Sequence, residues 1–265
     1  MSTTSNGVPA SCRSVRRCRR LGGLVRVSAR QERINGWDQR RFSRARILVA
    51  GAGGLGGEIV QGLVHKGAGE VHVADFDHVT PSNLNRQPFG AGDLWRNKAV
   101  QLCRIMSRRG WLGTRLFAYP CRVQEVMGIQ PDLVIAGVDN QLPSTRLDVC
   151  AAAARQGIPA VIAGVTPDAD SGYVHVYEPQ GSCWVCAYGA SSTDGAEERC
   201  PESAASVDIL KVLAGVALYA ADSVLMSRPR DWNYWSVSLR RAEYGGAALA
   251  LRRPDCPVCG IGRAT

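Results

Sequence analysis

A short apolar segment that runs directly into a cluster of glycines constrains this chain more than any other feature. Residues Arg46–Ala50 are typical of a buried parallel strand, and the chain continues as Gly51-Ala52-Gly53-Gly54-Leu55-Gly56. Glycines let backbone amides approach a phosphate without interference from Cβ, and the N-terminus of a following helix favours negative charge. Helical spacing over 58–66 and a second strand at Glu70–Ala74 complete the unit. We therefore expect a nucleotide at this loop.

The remaining sequence predicts an α/β fold, a doubly wound, Rossmann-like sheet that is mostly parallel, because apolar strands alternate with helical segments. The helix over 208–226 is apolar enough to suggest a membrane span, but it carries Asp208, Lys211 and Asp222, so we expect a buried helix and no membrane contact. The other predicted strands are 116–118, 132–137, 158–163 and 172–177, and the other predicted helices are 98–109 and 145–156.

Positive charge is concentrated at the N-terminus. The formal net charge is +9, but residues 1–31 contain seven arginines and no acidic residue, which leaves 25 basic against 23 acidic residues elsewhere. The body of the chain is nearly neutral, so we expect no nucleic-acid partner. Residues 1–28 are interpreted as a disordered or targeting-like basic tail, with a misassigned start as the alternative, and 29–265 as the folded domain with a C-terminal cysteine site. The arginine-rich composition favours a bacterial, cytoplasmic protein.

The glycine motif alone does not identify the nucleotide. Gly51, Gly53 and Gly56 satisfy G-x-G-x-x-G, which also fits a tight structural turn or a dinucleotide site. An acidic residue at the end of the second strand, Asp75, suits the ribose of NAD and of ATP equally. The polar segment that follows, Asp75-Phe76-Asp77-His78-Val79-Thr80-Pro81-Ser82-Asn83-Leu84-Asn85-Arg86-Gln87, and then Lys98, favours a triphosphate.

Taken in order, these motifs resemble those of the ThiF/MoeB/HesA adenylyltransferases, relatives of the ubiquitin-activating enzymes. The family pattern is G-x-G-G-x-G, D-x-D, S-N-L-x-R-Q, a lysine and D-N, and the resemblance covers about residues 29–260. It implies a ThiF-type adenylation domain that uses ATP to adenylate the C-terminal glycine carboxylate of a ubiquitin-like or sulfur-carrier protein ending in Gly-Gly, releasing pyrophosphate. The nucleotide-binding residues that it implies are Gly51, Gly53, Gly54, Leu55, Gly56, Asp75, Asp77, Ser82, Asn83, Arg86, Gln87, Lys98, Asp139 and Asn140.

Within that resemblance, Asp75 would contact the ribose, Asn83, Arg86 and Lys98 the phosphates, and Asp139 a Mg²⁺ ion. Attack of a carboxylate on the α-phosphate builds negative charge on phosphoryl oxygens and on pyrophosphate, which the two cationic side chains and Mg²⁺ can neutralise. No general base is needed, because the nucleophile is already an anion. Without the resemblance, Arg86 and Lys98 would be interpreted as a solvated pair and Asp139 as a helix cap.

The segment Ser28-Ala29-Arg30-Gln31 resembles the family's R-Q entry segment, in which an arginine reaches the nucleotide of the partner subunit. This implies a homodimer in which Arg30 acts in trans as a catalytic cation. Arg33 is the alternative arginine for this role.

Four cysteines form two C-x-x-C pairs, Cys183 with Cys186 and Cys256 with Cys259. Each pair can present two thiolates to one tetrahedral ion, and a closed four-cysteine Zn²⁺ site would stabilise the C-terminal segment without taking part in chemistry. Free or redox-active thiols are the alternative. We expect the remaining cysteines of the domain, apart from Cys200, to be buried small apolar residues, namely Cys103, Cys121 and Cys150.

Cys200 is the best candidate nucleophile, because it lies in a polar segment close to the N-terminus of the long helix predicted from about Ser203, where a thiolate is favoured. In the family this position can carry a cysteine that forms a covalent adduct with the activated carrier. The alternative is an inert loop cysteine, since Glu197, Glu198 and Glu202 oppose thiolate formation.

Two other functions stay open. The same fold could adenylate a small-molecule or peptide carboxylate, or the chain could be a noncatalytic subunit that binds a ubiquitin-like protein. Noncatalytic relatives usually lose the arginine, lysine or aspartate, whereas Arg86, Lys98 and Asp139 are all present. An NAD-dependent reductase is disfavoured by the S-N-L-N-R-Q segment.

Overall fold

A computed structural model describes residues 27–138, 145–188, 204–241 and 245–260. Most of the basic tail lies outside these residues, and so do three positions that the sequence singled out for chemistry. Those three are Asp139, Asn140 and Cys200.

One eight-stranded sheet organises the described residues, with the strand order β3-β2-β1-β4-β5-β6-β7-β8. The pairings among the first five of these strands are parallel, and those that add the last three are antiparallel. The predicted mostly parallel, Rossmann-like sheet is confirmed. The strands are β1 (Arg46–Ala50), β2 (Glu70–Ala74), β3 (Arg115–Tyr119), β4 (Leu133–Ala136), β5 (Ala160–Val165), β6 (Ser171–Tyr177), β7 (Tyr234–Ser238) and β8 (Gly245–Ala248).

Helices cover both faces of the sheet, as the continuous apolar strands require. Successive residues of β1 alternate between two separate core clusters, with Ile47 and Val49 in one and Leu48 and Ala50 in the other. The first core packs under α2, α3 and α6, and the second under α4, α5 and a 3-10 helix at Val123–Ile129. The helices are α1 (Gln39–Phe42), α2 (Gly54–Lys66), α3 (Lys98–Met106), α4 (Thr145–Gln156), α5 (Trp184–Tyr188) and α6 (Val207–Met226).

Helix α6 is long and apolar enough to cross a membrane by length and composition, and 61% of its most apolar window is buried inside the protein. It packs against α2, β5 and β6. Glycines of α2 permit this approach, because a Cβ on Gly54 would lie 2.6 Å from the Leu210 side chain and one on Gly62 would lie 2.2 Å from Leu218. The predicted buried helix is confirmed.

The chain reverses direction across the sheet at β1. It runs outward to β2 and β3 and then returns to place β4 on the other side of β1. In open α/β sheets, ligands bind at the carboxyl ends of the strands where such a reversal occurs. The glycine cluster follows β1 directly, so the fold places it at this switch point.

Several predicted boundaries shift. The helix predicted to end at 109 ends at Met106, and the strand predicted over 158–163 runs from Ala160 to Val165. The expectation that Cys121 is a buried apolar residue is wrong, since it is half-exposed, whereas Cys103 and Cys150 are buried as predicted. Cys121 follows β3, which is the edge strand of the sheet formed by the described residues, so no further strand of that sheet covers this end.

Candidate active site

The glycine loop is a tight turn that closes onto the first turn of α2. Gly51 has φ +94°, and its amide donates to the Ala74 carbonyl at 2.8 Å. A Cβ on Gly56 would lie 2.0 Å from the Gly51 carbonyl oxygen, so only glycine fits there. The first amides of α2 have no partner within the helix and face the loop with the positive end of the helix dipole. This arrangement can bind an anion.

Two other residues of the motif contribute in different ways. The side chain of Leu55 is buried in the first core, so its backbone is the part available to a ligand. A Cβ on Gly53 would have only the Gln87 amide nitrogen within 4 Å, at 3.8 Å, so this part of the loop faces the S-N-L-N-R-Q segment across an open space.

Asp75 lies beside the glycine loop at the end of β2. Its carboxylate accepts hydrogen bonds from the Ala52 amide at 2.6 Å and from the Asp77 amide at 2.8 Å. Burial raises the pKa of Asp75, and the Ala52 amide and the Lys98 ammonium oppose that rise. Each carboxylate oxygen has two acceptor positions, so acceptor capacity remains for a ribose hydroxyl.

Lys98 is the first residue of α3, and the fold brings it to the same edge of the sheet. Its Nζ lies 3.0 Å from Asp77 Oδ2, and its amide donates to the Asp77 carbonyl at 2.8 Å. The Asn97 side chain fixes this junction by donating to the carbonyls of Asp75 and Asp77 at 2.8 and 3.1 Å. A lysine paired with a partly exposed carboxylate is a cation that can change partner when a phosphate arrives.

The polar segment after Asp77 folds into a short 3-10 helix, Pro81–Asn83. Asn83 is buried, and its Oδ1 accepts from the Thr80 amide at 3.1 Å, so this side chain caps the turn. Arg86 Nη1 donates to the Ser82 carbonyl at 2.7 Å and to Asn85 Oδ1 at 3.0 Å. The buried Oε1 of Gln87 has no hydrogen-bond partner within the described structure. An unpartnered buried oxygen beside the glycine loop fits a site that awaits a ligand or water.

The four cysteines of the C-x-x-C pairs form one cluster on the other face of the sheet, and their Sγ atoms all lie within 4.8 Å of one another. The Cys183–Cys256 and Cys186–Cys259 sulfur atoms are 3.5 and 3.4 Å apart, and those of Cys183 and Cys186 are 3.9 Å apart. Four thiolates around one tetrahedral Zn²⁺ at 2.3 Å would be about 3.8 Å apart. The cluster therefore has the donor set and the spacing that Zn²⁺ prefers.

One sulfur of the cluster is already biased toward the thiolate. Burial acts to raise the pKa of Cys256, but the amides of Cys259 and Val258 and the neighbouring thiols outweigh it and lower this pKa to about 7. The Arg253 amide also donates to Cys186 Sγ at 3.4 Å. Amides directed at sulfur are typical of sites that hold thiolates.

Comparison with known proteins identifies the group to which these features belong. The sequence profile of the ThiF family matches residues 27–258. The chain belongs to the ThiF family. The match spans the glycine-loop edge of the sheet and three of the four clustered cysteines, Cys183, Cys186 and Cys256, so the resemblance expected from the sequence motifs is confirmed.

Named relatives of this ThiF-family chain are adenylyltransferases. It is 30% identical to the sulfur carrier protein adenylyltransferase of Thermus thermophilus over 243 residues, which cover 84% of each protein. It is 29% identical to the SAMP-activating enzyme E1 of Haloferax volcanii, over 84% of this chain and 83% of that protein. It is 28% identical to mouse adenylyltransferase and sulfurtransferase MOCS3, but covers only 49% of that longer protein. This chain is therefore an adenylyltransferase, an enzyme that activates a carboxylate with ATP.

Solved structures confirm the fold. The crystal structure of E. coli MccB with MccA-N7isoASN superposes with a TM-score of 0.72 at 18% identity, covering 84% of this chain and 69% of MccB. The crystal structure of E. coli MccB with ATP gives a TM-score of 0.71 at 18% identity, covering 84% of this chain and 69% of that one. At this identity the likeness concerns the ThiF-type fold alone.

Arg30 does not join the glycine loop of its own chain. The neighbouring Gln31 donates from Nε2 to the carbonyl of Lys66, the last residue of α2, at 3.0 Å, whereas the glycine loop precedes the first residue of that helix. A 13-residue α-helix is about 20 Å long. Arg30 and Arg33 are both exposed at this far end.

The sequence interpretation missed Arg146. This arginine lies in the first turn of α4 and is buried, with Nε donating to the Val138 carbonyl at 3.0 Å and Nη1 to the Tyr173 hydroxyl at 3.0 Å. Its bond to the Val138 carbonyl fixes the position of Val138, which follows β4 and directly precedes Asp139 and Asn140. An arginine in the first turn of a helix carries no sequence signal of burial, so only the fold identifies it.

Proposed function

We propose that this protein adenylates the C-terminal glycine carboxylate of a ubiquitin-like or sulfur-carrier protein ending in Gly-Gly and releases pyrophosphate. The observation that carries the proposal is the meeting of the glycine loop, Asp75 and Lys98 at one edge of the sheet, where the Ala52 amide contacts Asp75 at 2.6 Å. The named activities of the Thermus thermophilus and Haloferax volcanii relatives support this substrate class.

The geometry suits stabilisation of charge on phosphates. The amides at the start of α2 would bind phosphoryl oxygens, and Lys98 would exchange Asp77, now 3.0 Å away, for a phosphate. Arg86 uses one guanidinium nitrogen in its two bonds to Ser82 and Asn85, and its remaining N–H groups would contact the phosphates. The carrier carboxylate attacks the α-phosphorus and the bond to pyrophosphate breaks.

Asp139 would hold Mg²⁺, with Asn140 beside it. Support comes from the end of β4, where the Gly137 amide donates to the Ala50 carbonyl at 3.0 Å and so places the segment that leads to Asp139 beside the glycine loop. Carboxylate and phosphate oxygens are the ligands that Mg²⁺ prefers. The metal would neutralise charge on the triphosphate.

The cysteine cluster would hold a structural Zn²⁺. A site with four protein ligands leaves no coordination position for a substrate, so the metal would stabilise the fold. Its residues join α5 to the segment 256–259, which otherwise has only turns in the described chain.

A homodimer would place Arg30 at the partner's nucleotide. The position of Arg30 beyond the C-terminal end of α2, about 20 Å from its own glycine loop, is compatible with a role in trans and not with one in cis. The cation would add to Lys98 and Arg86 in neutralising the departing pyrophosphate.

Cys200 would then accept the acyl group. Its thiolate attacks the carbonyl carbon of the acyl adenylate, a thioester forms, and AMP leaves with the electron pair of the broken bond. The support is positional, since Cys200 precedes α6, whose first turn also contacts the glycine loop through Leu210 and Gly54.

Exchange of labelled pyrophosphate into ATP tests the substrate class. A panel of ubiquitin-fold proteins ending in Gly-Gly is compared, each against a matched version that lacks the two terminal glycines. We expect exchange with at least one intact carrier and none with its truncated form. Exchange driven by short peptides or small carboxylates alone would contradict the proposal and assign those substrates. ATP binding without any exchange would indicate a noncatalytic subunit.

Intact mass tests the transfer step. After incubation with Mg-ATP and the active carrier, an adduct that reductant removes and that Cys200→Ala lacks is the expected result. An adduct that persists in Cys200→Ala, or exchange without any adduct in the wild type, would exclude Cys200 as the acceptor.

A further inference from the structure

A carboxylate is buried on the otherwise apolar inner face of α6. Asp222 is 3% exposed, whereas the other two charged residues of this helix, Asp208 and Lys211, are exposed. A buried charge is costly unless it is paired, and apolar replacement of a buried ion pair is often neutral or stabilising. The need for a stable core therefore does not explain Asp222, so we ask which residues it arranges.

Two cations hold this carboxylate. Lys66 Nζ lies 2.5 Å from Asp222 Oδ2, and Arg228 Nη1 lies 3.9 Å from the same oxygen. Lys66 is the last residue of α2, and Arg228 follows the end of α6. The carboxylate therefore ties together the C-terminal ends of two helices that pack against each other.

The chain from residue 30 to residue 39, the entry segment, packs on these two cations. The Lys66 ammonium lies 5.7 Å from the centroid of the Trp37 ring, within the range of a cation–π contact. Arg228 lies beside Gly36, where φ is +74° and a Cβ would be 3.4 Å from the arginine Cγ. Both partners of the buried carboxylate are therefore also contacts of the entry segment.

The backbone of Lys66 anchors both ends of the same segment. Its carbonyl accepts hydrogen bonds from Gln31 Nε2 at 3.0 Å and from Gln39 Nε2 at 3.1 Å. Gln31 directly follows Arg30, so Arg30 lies one residue from this anchor. The position of Lys66 therefore sets the position of Arg30.

We propose that Asp222 is a positioning residue for Arg30, which it fixes through Lys66 and Arg228 so that the Arg30 guanidinium reaches the nucleotide of the partner subunit. The inference rests on the proposed role of Arg30 in trans. Asp222 is buried at the opposite end of α2 from the glycine loop, so it acts only through other residues. A displacement of about 1 Å in a positioned group can cost about 10²-fold in rate.

Mixed dimers test this role, because they separate the chain that supplies the arginine from the chain that performs the reaction. One chain carries Arg30→Ala and keeps its active site, and the other carries Lys98→Ala and keeps its arginine. The two chains carry different tags, so the mixed dimer can be purified. Pyrophosphate exchange is measured with the ubiquitin-fold protein ending in Gly-Gly that supports exchange by the wild type. We expect exchange in the mixed dimer and little in either variant alone.

Asp222→Asn is then placed in one chain or the other. In the Lys98→Ala chain it should lower exchange by about 10²-fold, because that chain supplies the arginine. In the Arg30→Ala chain it should leave exchange unchanged, because the arginine of that chain is already absent. Equal losses in the two placements would show a merely structural role and would overturn the proposal, as would the absence of a loss in both.

A second variant covers the case in which Asp222→Asn alone does not fold. Lys66→Met combined with Asp222→Asn replaces the ion pair by two neutral side chains of similar size, and it is compared in the same two placements. If the wild type shows exchange but the mixed dimer without an Asp222 substitution does not, Arg30 does not act in trans and the inference fails with that role. A wild type without exchange would instead refute the proposed adenylation itself.

Discussion

The glycine-loop edge of the sheet and the four-cysteine cluster are assembled in different ways. The first takes its residues from the ends of neighbouring parallel strands and the segments that follow them, all within residues 51–98 apart from the end of β4. The second joins two C-x-x-C pairs in which Cys183 and Cys256 are 73 positions apart. The residues of the glycine-loop edge are close together in sequence, whereas the cysteine cluster forms only when the C-terminal part of the chain returns to the first C-x-x-C pair.

Because of this difference, the two regions depend on different interactions for their stability. Strand hydrogen bonds already position the glycine loop, as the bond from the Gly51 amide to the Ala74 carbonyl illustrates. The segment at Cys256 and Cys259 has only turns, and Cys256 and Cys259 are buried beside Cys183 in the second core. Changes to the charged side chains of the first region should therefore alter chemistry while the fold persists, and changes at the second should alter the fold first.

The largest expected effect is the loss of catalytic activity in Lys98→Ala. Loss of one preorganised charge that acts on developing phosphate charge costs about 10²- to 10³-fold in kcat. The Asn97 side chain and the Lys98 backbone still fix the junction with Asp77, so we expect thermal stability close to that of wild type. Pyrophosphate exchange and a thermal melt measure the two quantities on one sample.

Lys211→Ala is the matched control for that experiment, because Lys211 pairs with Glu58 at 2.9 Å on an exposed surface of α6. It should leave exchange within about twofold of wild type, since exposed ion pairs contribute roughly 0–1 kcal/mol. A Lys98→Ala variant that melts well below wild type would show that the first region also carries stability, and the contrast drawn here would fail.

Metal removal should have the next largest effect, on stability. Incubation with a strong zinc chelator should lower Tm by roughly 5–10 °C, equivalent to about 2–4 kcal/mol for a domain of this size. Hydrogen exchange should quicken at α5 and 252–260 while β1 and β2 stay protected. Cys256→Ser should reproduce the change without chelator. Uniform loss of protection across the whole sheet would mean that the two regions unfold as one unit.

The sequence predicted the first region closely for a physical reason. A parallel strand followed by glycines and a helix is a local pattern, and the observed β1 and β2 have the predicted ends, Arg46–Ala50 and Glu70–Ala74. The polar segment after Asp75 and the later Lys98 reach the same edge because β2 and β1 are neighbours in register. The family motifs also indicated the role of each residue, which hydrophobic periodicity alone cannot indicate.

Contacts between elements that are distant along the chain could not be predicted from the sequence. Cys150 looks like any small apolar residue on a helix until α4 packs beside Trp184. Arg146 likewise gains its partners, the Val138 carbonyl and the Tyr173 hydroxyl, from the segment after β4 and from β6. Burial of a polar or thiol group depends on which elements meet, and that depends on tertiary packing.

A pair of glycine variants sharpens the claim that the first region is preformed. Gly56→Ala places a Cβ 2.0 Å from a backbone oxygen, whereas the nearest atom to a Cβ on Gly53 is a side-chain nitrogen at 3.8 Å. Gly56→Ala should lose about 1–3 kcal/mol or more in a urea titration and should lose ATP binding. Gly53→Ala should keep its stability, so any loss of ATP affinity there would report contact with the nucleotide. Equal stability of the two variants would show that the loop rearranges freely.

The smallest expected effect concerns the amino ends of the strands, far from both sites. Glu70 on β2 accepts from Arg46 at 2.9 Å and from His72 at 3.1 Å, and Arg115 also contacts it. Burial acts to raise the pKa of Glu70, but the hydrogen bonds from Arg46 and His72 outweigh it, so this pKa falls below its ordinary value of 4.5. The resulting stabilisation is complete above pH 4.5 and is lost as pH falls through the lower folded-state pKa.

Glu70→Gln should remove that pH dependence. Urea midpoints measured from pH 7 to pH 3 should decline below pH 4.5 more steeply in wild type than in the variant. Burial also lowers the pKa of His72 while Glu70 opposes that change, so both proteins should show a separate decline that begins near the ordinary histidine value of 6.5, and this decline should be larger in Glu70→Gln. Pyrophosphate exchange at pH 7 should be unchanged in Glu70→Gln, since Glu70 lies at the opposite end of β2 from Asp75. A large loss of exchange there would show that the amino ends of the strands influence the glycine-loop edge, which the local assembly of that edge argues against.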